Sequence, residues 1–302
     1  MKKISHLIEF ILLFIFNIFV LIIPLKLALW FGRRLGDIVF FVLKIRRDVV
    51  MKNLFSAFPN KKSDELFDIA RRTYQNFGMS MMELLSFPKL KLKKLIDSKI
   101  EFEGLEYLDE LIAQKQGAVF VAGHFGSWEL MGAATRQSGY PLDFLVGKQH
   151  NVPVDNLLNF YRKIKKIGII QLKMALKGVM KAVKTGRFVA MLSDQDAGKR
   201  DGVFVNFFSR AASTPKGPAV FSLRCDVPVI MGFCIRQRPF NRHKIKFLKV
   251  DFKKTGNYEK DIELLTSKYT QILEGFIKKY PDHWFWFHKR WKTVIDNMPN
   301  MY

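Results

Sequence analysis

Short apolar segments alternate with amphipathic segments along the second two thirds of the chain. The apolar runs predict five buried strands, at residues 118–122, 142–146, 188–192, 227–234 and 244–250. Between and after them, apolar residues at helical intervals predict helices at residues 129–137, 155–167, 175–184, 215–223 and 258–280. Residues 36–100 are predicted to be helical as well. Strands that alternate with helices indicate an α/β fold, with a mixed, largely parallel sheet flanked by helices.

The N-terminal pattern differs, because residues 10–25 carry no charge and consist almost wholly of Ile, Leu, Phe and Val. Sixteen helical residues span only about 24 Å, less than the roughly 30 Å hydrocarbon core. An extension to Phe31 lengthens the helix but takes in Lys26, whose side chain would have to snorkel. The stretch therefore predicts a tilted span or a half-inserted helix, with a buried helix of a soluble protein as the alternative. Residues 1–35 are then a membrane anchor and residues 36–302 one further domain.

The distribution of charge predicts how the chain is oriented across a membrane, and the net charge indicates which class of partner it binds. Cations just after the apolar stretch outnumber the two before it, so the bulk of the chain is expected on the cytoplasmic side. The net charge of +23 favours polyanions, such as nucleic acid, anionic lipid headgroups or an acidic carrier protein. Cys225 and Cys234 form neither a disulfide framework nor a metal motif, which is typical of a reducing cytoplasm.

The main chemical motif is His124-Phe-Gly-Ser-Trp-Glu129, directly after the first predicted strand of the sheet. If His124 lies in the turn and Glu129 in the first helical turn, with Ser127 as the N-cap, the carboxylate can orient the imidazole. An imidazole held in this way can take a proton from an alcohol. The alternative is a helix-capping loop that contains a histidine by chance, since H-x4-E is a permissive pattern.

Two further loops follow predicted strands. Asp194 and Asp196 come after the strand at 188–192, at the sheet edge where ligands bind in such folds, although loop chemistry alone favours a turn with solvated aspartates. Ser213 or Thr214 can cap a helix that begins at Pro215, and its N–H groups would suit a phosphate. No cluster of His or Cys supports a metal site, and P-loop, dinucleotide and serine-hydrolase motifs are absent from the sequence.

The C-terminal segment mixes large aromatic residues with cations, in the run Trp284-Phe-Trp-Phe-His-Lys-Arg-Trp-Lys292. Tryptophan together with lysine and arginine suits a membrane interface, where rings lie at headgroup depth. A core-facing helix with a polar outer stripe accounts for the same pattern, and both interpretations stand.

Taken together, these segments resemble the lipid A late acyltransferase family, the lauroyl and myristoyl transferases of lipopolysaccharide biosynthesis. That family lies within the lysophospholipid acyltransferase group, which is marked by an H-x4-D/E motif. The resemblance covers almost the whole chain in order, at residues 53–59, 71–78, 123–129, 194–205, 207–219 and 286–292. Two positions depart from the family pattern: Asn206 stands where proline is usual, and Ser209 where glycine is common.

The resemblance implies that an acyl chain moves from an acyl thioester, on acyl carrier protein or coenzyme A, to a hydroxyl of a lipid A precursor or related glycolipid. His124 would be the general base and Glu129 its orienting carboxylate. No metal and no cofactor beyond the co-substrate is implied, and the site would face the cytoplasm at the cell inner membrane. The implied substrate-binding residues are Arg162, Asp194, Asp196, Arg200, Thr214 and Gly217. A thioester or lipid hydrolase on the same scaffold and a non-catalytic basic membrane- or nucleic-acid-binding protein are the alternatives.

Overall fold

A computed structural model describes residues 2–295 together with Met301 and Tyr302. The α-helices are α1 (Lys2–Ile22), α2 (Leu25–Ile38), α3 (Arg47–Ala57), α4 (Ser63–Leu85), α5 (Leu92–Lys99), α6 (Glu106–Ala113), α7 (Trp128–Gln137), α8 (Val152–Ile164), α9 (Ala175–Lys184), α10 (Gly198–Asp201), α11 (Gly217–Cys225) and α12 (Tyr258–Lys279). The strands are β1 (Ile100–Glu103), β2 (Ala118–Ala122), β3 (Leu142–Val146), β4 (Gly168–Gln171), β5 (Phe188–Leu192), β6 (Gly202–Phe207), β7 (Arg210–Pro215), β8 (Val229–Gln237) and β9 (Arg242–Lys249).

Seven of these strands form one sheet in the order β1-β9-β8-β2-β5-β3-β4. Every neighbouring pair is parallel except β8 and β9, which are antiparallel. The predicted mixed, largely parallel sheet flanked by helices is therefore confirmed. Strands β6 and β7 form a separate antiparallel hairpin. Strand β2 lies at the centre and all five of its residues are buried, which explains its continuous apolar sequence.

The strands at the centre of the sheet are the ones that the apolar pattern located correctly. Strands β2, β3 and β5 have the predicted bounds, the ends of β8 are shifted by two and three residues, and those of β9 by two residues and one. The sequence pattern missed β1, β4 and the β6–β7 hairpin. Strands β1 and β4 have four residues each and are nowhere fully buried, so their sequences lack a strong apolar signal.

Helix predictions were accurate for α7, α9 and α12 and needed correction elsewhere. Helix α8 begins at Val152, where Asn151 caps it by accepting a hydrogen bond from the Val154 N–H. Helix α11 begins at Gly217, not Pro215. The core-facing helix that was one interpretation of residues 284–292 is wrong. After a 3-10 turn at Pro281–His283, the segment is irregular and Trp284 bridges to Phe125 instead.

The N-terminal apolar stretch forms two helices, because Pro24 separates α1 from α2. Residues Ile4–Ile22 are long and apolar enough to cross a membrane by length and composition. One face of α1 nevertheless contacts the rest of the protein: Asn17 is buried, donates to the Leu85 carbonyl and accepts from the Tyr161 hydroxyl of α8. The opposite face consists of exposed Ile, Leu and Phe side chains.

Candidate active site

The central sheet brings His124 and Asp194 together at its carboxyl edge. Strands β2 and β5 are parallel neighbours, and Ala122 pairs with Leu192. Each of the two functional residues follows its paired residue by two positions. The carboxyl ends of adjacent parallel strands meet at one edge, so the two side chains, 70 residues apart in sequence, become neighbours.

Asp194 holds the His124 residue at two points. Its Oδ1 lies 2.8 Å from the imidazole Nδ1, and its Oδ2 accepts the backbone N–H of His124 at 2.8 Å. The indole N–H of Trp284 donates to the same Oδ2, also at 2.8 Å. The Asp194 side chain is 2% exposed, whereas the His124 side chain is 21% exposed. The carboxylate is therefore sealed inside the protein while the imidazole reaches the surface.

The charge of Asp194 decides the tautomer of His124. Burial favours the neutral acid, but the nearby imidazole and the three hydrogen bonds outweigh it and hold the pKa of the Asp194 carboxyl below its usual range. An ionised carboxylate only accepts hydrogen bonds, so Nδ1 must carry the proton. The Nε2 atom of the neutral ring then carries the lone pair, and it is the atom that can remove a proton from an alcohol.

Glu129 does not orient the imidazole, and this expectation from the sequence was wrong. Its carboxylate forms a bidentate ion pair with Arg162, at 2.5 Å from Nη2 to Oε1 and 3.1 Å from Nε to Oε2. Arg162 also donates to Asn159 at 3.0 Å. The Glu129 and Arg162 side chains are 7% and 13% exposed, so the pair is largely desolvated. The ordering carboxylate for His124 comes from the loop after β5, and Glu129 instead fixes a cation on α8.

The turn after His124 depends on Gly126. Its φ is +58°, and a Cβ at this position would lie 1.8 Å from the backbone oxygen of Cys234. Its N–H donates to the His283 carbonyl at 2.8 Å. Ser127 occupies the N-cap position of α7 as predicted, but its hydroxyl makes no capping hydrogen bond. Glycine is required here both for the left-handed backbone and for the close approach to β8.

Aromatic rings surround the exposed edge of the imidazole. The rings of Trp128 and Phe285 lie 5.1 Å and 5.6 Å from the His124 ring, centroid to centroid. Phe77 of α4 packs against Phe285 at 5.2 Å. These rings line a small recess at His124. The base is thus presented in a shallow apolar opening, where water is partly excluded.

The remaining predicted residues lie in two places. Asp196 accepts from the backbone N–H and the hydroxyl of Thr293, which ties the loop after β5 to the C-terminal segment. Arg200 is 92% exposed and pairs with its neighbour Asp201. Gly217 is the first residue of α11. Asp196 therefore has a structural partner. The contacts of Arg200 and Gly217 do not indicate a ligand for either residue.

Thr214 belongs to β7 and does not cap α11, so that prediction was wrong, as it was for Ser213. The hydroxyl of Thr214 donates to the Ala212 carbonyl and accepts from Nη2 of Arg290 at 2.5 Å. Arg290 also donates to the Ser213 carbonyl at 2.6 Å. Burial of this guanidinium lowers its pKa to about 10. Arg290 is therefore a structural cation that joins the C-terminal segment to the hairpin.

Sequence reasoning missed Asp194 as the partner of His124 and missed Trp284 as a donor to the same carboxylate. A signal for Asp194 was present, because both residues follow their predicted strands by two positions. No comparable signal existed for Trp284, which lies in an irregular segment. Among residues 2–295, 301 and 302, no group of three or more His, Cys, Asp or Glu side chains could hold a metal ion.

Two spaces adjoin the site. A narrow apolar cavity of about 60 Å³ lies between the sheet and α7, with Trp128, Glu129 and Arg162 among its lining residues. Its walls include Phe120, Met131, Leu142, Phe144 and Ala190. A wider open groove of about 860 Å³ lies between α2, α4 and the C-terminal segment. An apolar cavity and a wider groove thus both lie beside the residues of the site.

Comparison with known proteins gives one consistent result. The sequence family of bacterial lipid A biosynthesis acyltransferases matches residues 1–293 of the chain. A lipid A biosynthesis lauroyltransferase of Escherichia coli (strain K12) is 26% identical over 286 residues, which cover 93% of this chain and 90% of the relative. A lipid A biosynthesis palmitoleoyltransferase of the same organism is 24% identical over 276 residues, covering 90% and 87%. A lipid A biosynthesis myristoyltransferase, also from that organism, is 23% identical over 269 residues, covering 86% and 79%.

Proposed function

The chain belongs to the family of bacterial lipid A biosynthesis acyltransferases, and we propose that His124 is the general base with which it acylates a hydroxyl of a lipid A precursor. The observation that carries the proposal is the His124–Asp194 pair. A buried, ionised carboxylate holds Nδ1 at 2.8 Å, while the ring edge remains accessible. A hydroxyl is a poor nucleophile at neutral pH, and a base within hydrogen-bond reach removes that obstacle.

The reaction proceeds by direct transfer. Nε2 of His124 accepts the hydroxyl proton as the oxygen attacks the thioester carbonyl, and a tetrahedral oxyanion forms. The carbon–sulfur bond then breaks, and the imidazolium returns the proton to the departing thiolate. The Asp194 carboxylate stabilises the imidazolium between these two steps and keeps the ring in the productive tautomer. The products are an ester and a free thiol, and no acyl-enzyme is formed.

Arg162 is the side chain proposed to stabilise negative charge at the reacting centre. A guanidinium has five N–H donors, and the hydrogen bonds to Glu129 and Asn159 use one donor on each nitrogen. One further N–H on each Nη atom is left for an oxyanion or an acceptor phosphate. Because Glu129 accepts two hydrogen bonds from the guanidinium, it fixes the direction in which the two remaining N–H groups of Arg162 point. Backbone N–H groups at the start of α7 are a second source of stabilisation.

The narrow cavity beneath α7 is the proposed site for the end of the acyl chain. Most of its walls are apolar, and Trp128 lines both this cavity and the recess at His124. An apolar chain in the cavity would place the thioester near the imidazole and away from bulk water. The proposed donor is an acyl thioester of acyl carrier protein or coenzyme A, and no cofactor beyond this co-substrate is proposed.

Membrane attachment follows from the exposed apolar face of α1, and the cations after this helix orient the domain to the cytoplasmic face. Asp194 supports catalysis through His124. Arg200 and Gly217 stay substrate-binding predictions. Asp196 and Thr214 are assigned to structural contacts with Thr293 and Arg290.

The test is transfer by membranes that contain His124→Ala. We expect a loss of at least a hundredfold, in line with the usual contribution of a general base. Transfer within a few-fold of wild type would rule out this role for His124. A labelled donor, incubated with and without a glycolipid acceptor, separates transfer from hydrolysis: release of free fatty acid at an undiminished rate without acceptor would favour a hydrolase.

A further inference from the structure

The wide groove that begins beside His124 has an apolar floor. Leu35 and Val39 of the α2 region, Tyr74 and Met81 of α4, and Phe287 of the C-terminal segment line it. Its volume of about 860 Å³ lies in the range of pockets that enclose sizeable ligands. An apolar floor of this kind fits hydrocarbon better than it fits a polar metabolite.

The groove leads to the imidazole. Phe77 and Phe285 line both the groove and the recess at His124. The Phe285 ring lies 5.6 Å from the His124 ring. A molecule that occupies the groove therefore places one end against the base.

Three cations stand around this groove: Arg46, Lys289 and Lys292. Arg46 donates to the Phe287 carbonyl at 3.4 Å, and the Lys289 ammonium lies over the Tyr302 ring at 5.4 Å. Across residues 2–295, 301 and 302, no side-chain carboxylate lies within ion-pair distance of any of the three. This distinguishes them from Arg162 and its carboxylate partner. Three cations beside one apolar groove, without a side-chain counter-ion, fit an anionic group on the ligand.

The backbone that positions Arg46 is conformationally strained. Lys44 and Arg46 both have left-handed conformations, with φ of +52° and +59°. The Tyr74 hydroxyl donates to the Ile45 carbonyl at 2.6 Å and holds the turn between them. Non-glycine residues in this region are strained by about 1 kcal/mol or more, and such strain concentrates at ligand sites.

One rim of the groove carries exposed apolar side chains. The short π-helix at Val39–Leu43 and the turn after it expose Phe41, Val42, Leu43 and Ile45, each between 45% and 70%. Exposed aliphatic and aromatic side chains beside cations are typical of a surface at a bilayer interface. The ligand is therefore expected to enter from the lipid layer rather than from the cytosol.

We propose that this groove binds the acceptor as an anionic glycolipid, with its phosphate held by Arg46, Lys289 and Lys292 and its acyl chains along the floor toward α2. This rests on the proposed function, because it assigns the acceptor of the same reaction. The acceptor hydroxyl would then reach Nε2 of His124 past Phe77 and Phe285. The phosphate of a coenzyme A or carrier-bound donor has the same chemistry, so the experiment has to separate the two sources.

The test compares the full-length triple variant Arg46→Gln/Lys289→Gln/Lys292→Gln with wild type in detergent micelles. The acceptors are a phosphorylated lipid A precursor and the same lipid after phosphatase treatment. We expect KM for the phosphorylated acceptor to rise about tenfold or more, because charge-assisted hydrogen bonds are lost. KM for the donor and for the dephosphorylated acceptor should stay within about twofold. The matched control, Lys173→Gln/Lys177→Gln/Lys268→Gln, removes the same charge from positions outside the groove and should leave all three constants unchanged.

An unchanged preference for the phosphorylated acceptor in the triple variant would overturn the assignment, as would an increase confined to the donor KM. If wild type transfers an acyl chain to neither acceptor, the proposed function fails. The assignment of the groove is then tested by binding of the glycolipid alone. Flotation with vesicles that carry the phosphorylated or the dephosphorylated glycolipid then supplies the measurement. Equal binding of both vesicle types by wild type and triple variant would overturn the assignment in that case too.

Discussion

Nδ1 of His124 lies 2.8 Å from Oδ1 of Asp194, although 70 residues separate them in the chain. The contact arises because two adjacent parallel strands end together, and each residue follows its strand by the same two positions. The two carboxylates of the site therefore have different partners: Asp194 contacts the imidazole of His124, and Glu129 forms an ion pair with Arg162.

Asp194→Asn should lower kcat by about two to four orders of magnitude. The asparagine amide can donate to Nδ1, which favours the wrong tautomer, and it no longer stabilises the imidazolium. Transfer assays on purified protein, with thermal unfolding as a check because Trp284 also binds this carboxylate, provide the measurement. A kcat within tenfold of wild type, in a folded variant, would contradict the role of Asp194.

Glu129→Gln should reduce activity through Arg162 and leave the acid limb of the pH–rate profile where it is in wild type. A double-mutant cycle of Glu129→Gln with Arg162→Gln should show coupling of at least about 1 kcal/mol, since the two groups act as one buried pair. Additive effects, or an acid limb shifted by Glu129→Gln alone, would speak against this assignment.

Ala190→Leu should shift donor preference toward shorter acyl chains. Ala190 lies on β5 and lines the narrow cavity, so added methyl groups occupy space proposed for the end of the chain. Competition between donors of different length, quantified by mass spectrometry of the product, measures the shift. The control is Ala182→Leu, a buried position on α9 that does not line this cavity. An unchanged chain-length profile for Ala190→Leu in the folded protein would place the acyl chain elsewhere.

Glu83→Gln should destabilise the protein by about 3 kcal/mol at pH 7, because it breaks a buried ion pair with Arg236 at 2.7 Å. Burial favours the neutral acid, but Arg236 and His243 outweigh it and lower the pKa of Glu83. Because the pKa of Glu83 is lower in the folded than in the unfolded protein, the ionised carboxylate stabilises the fold at pH values above the unfolded pKa of about 4.3. This stabilisation is lost as the pH falls through the folded pKa. Denaturant unfolding should therefore show a weaker acid dependence below about pH 4 in the variant than in wild type.

The control for that experiment is Glu101→Gln, which removes an exposed partner of Lys244 and should cost under about 1 kcal/mol. A similar loss of unfolding free energy in the two variants would show that the buried Glu83–Arg236 pair stabilises the fold no more than the exposed pair does.

Gly126→Ala should abolish activity and lower the yield of folded protein. The new Cβ would meet the Cys234 carbonyl oxygen at 1.8 Å, and the left-handed backbone would be strained as well. Gly275→Ala on α12 is the matched control, because among the described residues no atom beyond its chain neighbours and its own helix backbone lies within 4 Å of the new methyl group, and alanine favours helix. Normal activity in Gly126→Ala would mean that the turn after His124 adapts without loss.

Local sequence was sufficient for the parts of this protein that depend on periodicity. The buried strands β2, β3 and β5 are continuous apolar runs, and helix α9 follows from its amphipathic spacing, so their bounds could be predicted. The apolar N-terminal stretch and His124 at the end of a strand were equally visible. These features are decided by residues a few positions apart, and each leaves a pattern in the chain.

The partners of the functional groups were decided by tertiary structure alone. Glu129 is five positions from His124, yet helix α7 turns its carboxylate toward Arg162, while sheet order brings Asp194 to the imidazole. The same holds for Trp284, which reaches the site from an irregular segment near the end of the chain. A hydrogen bond depends on the direction and distance of two atoms, and for residues on different elements these follow from how the sheet and helices pack.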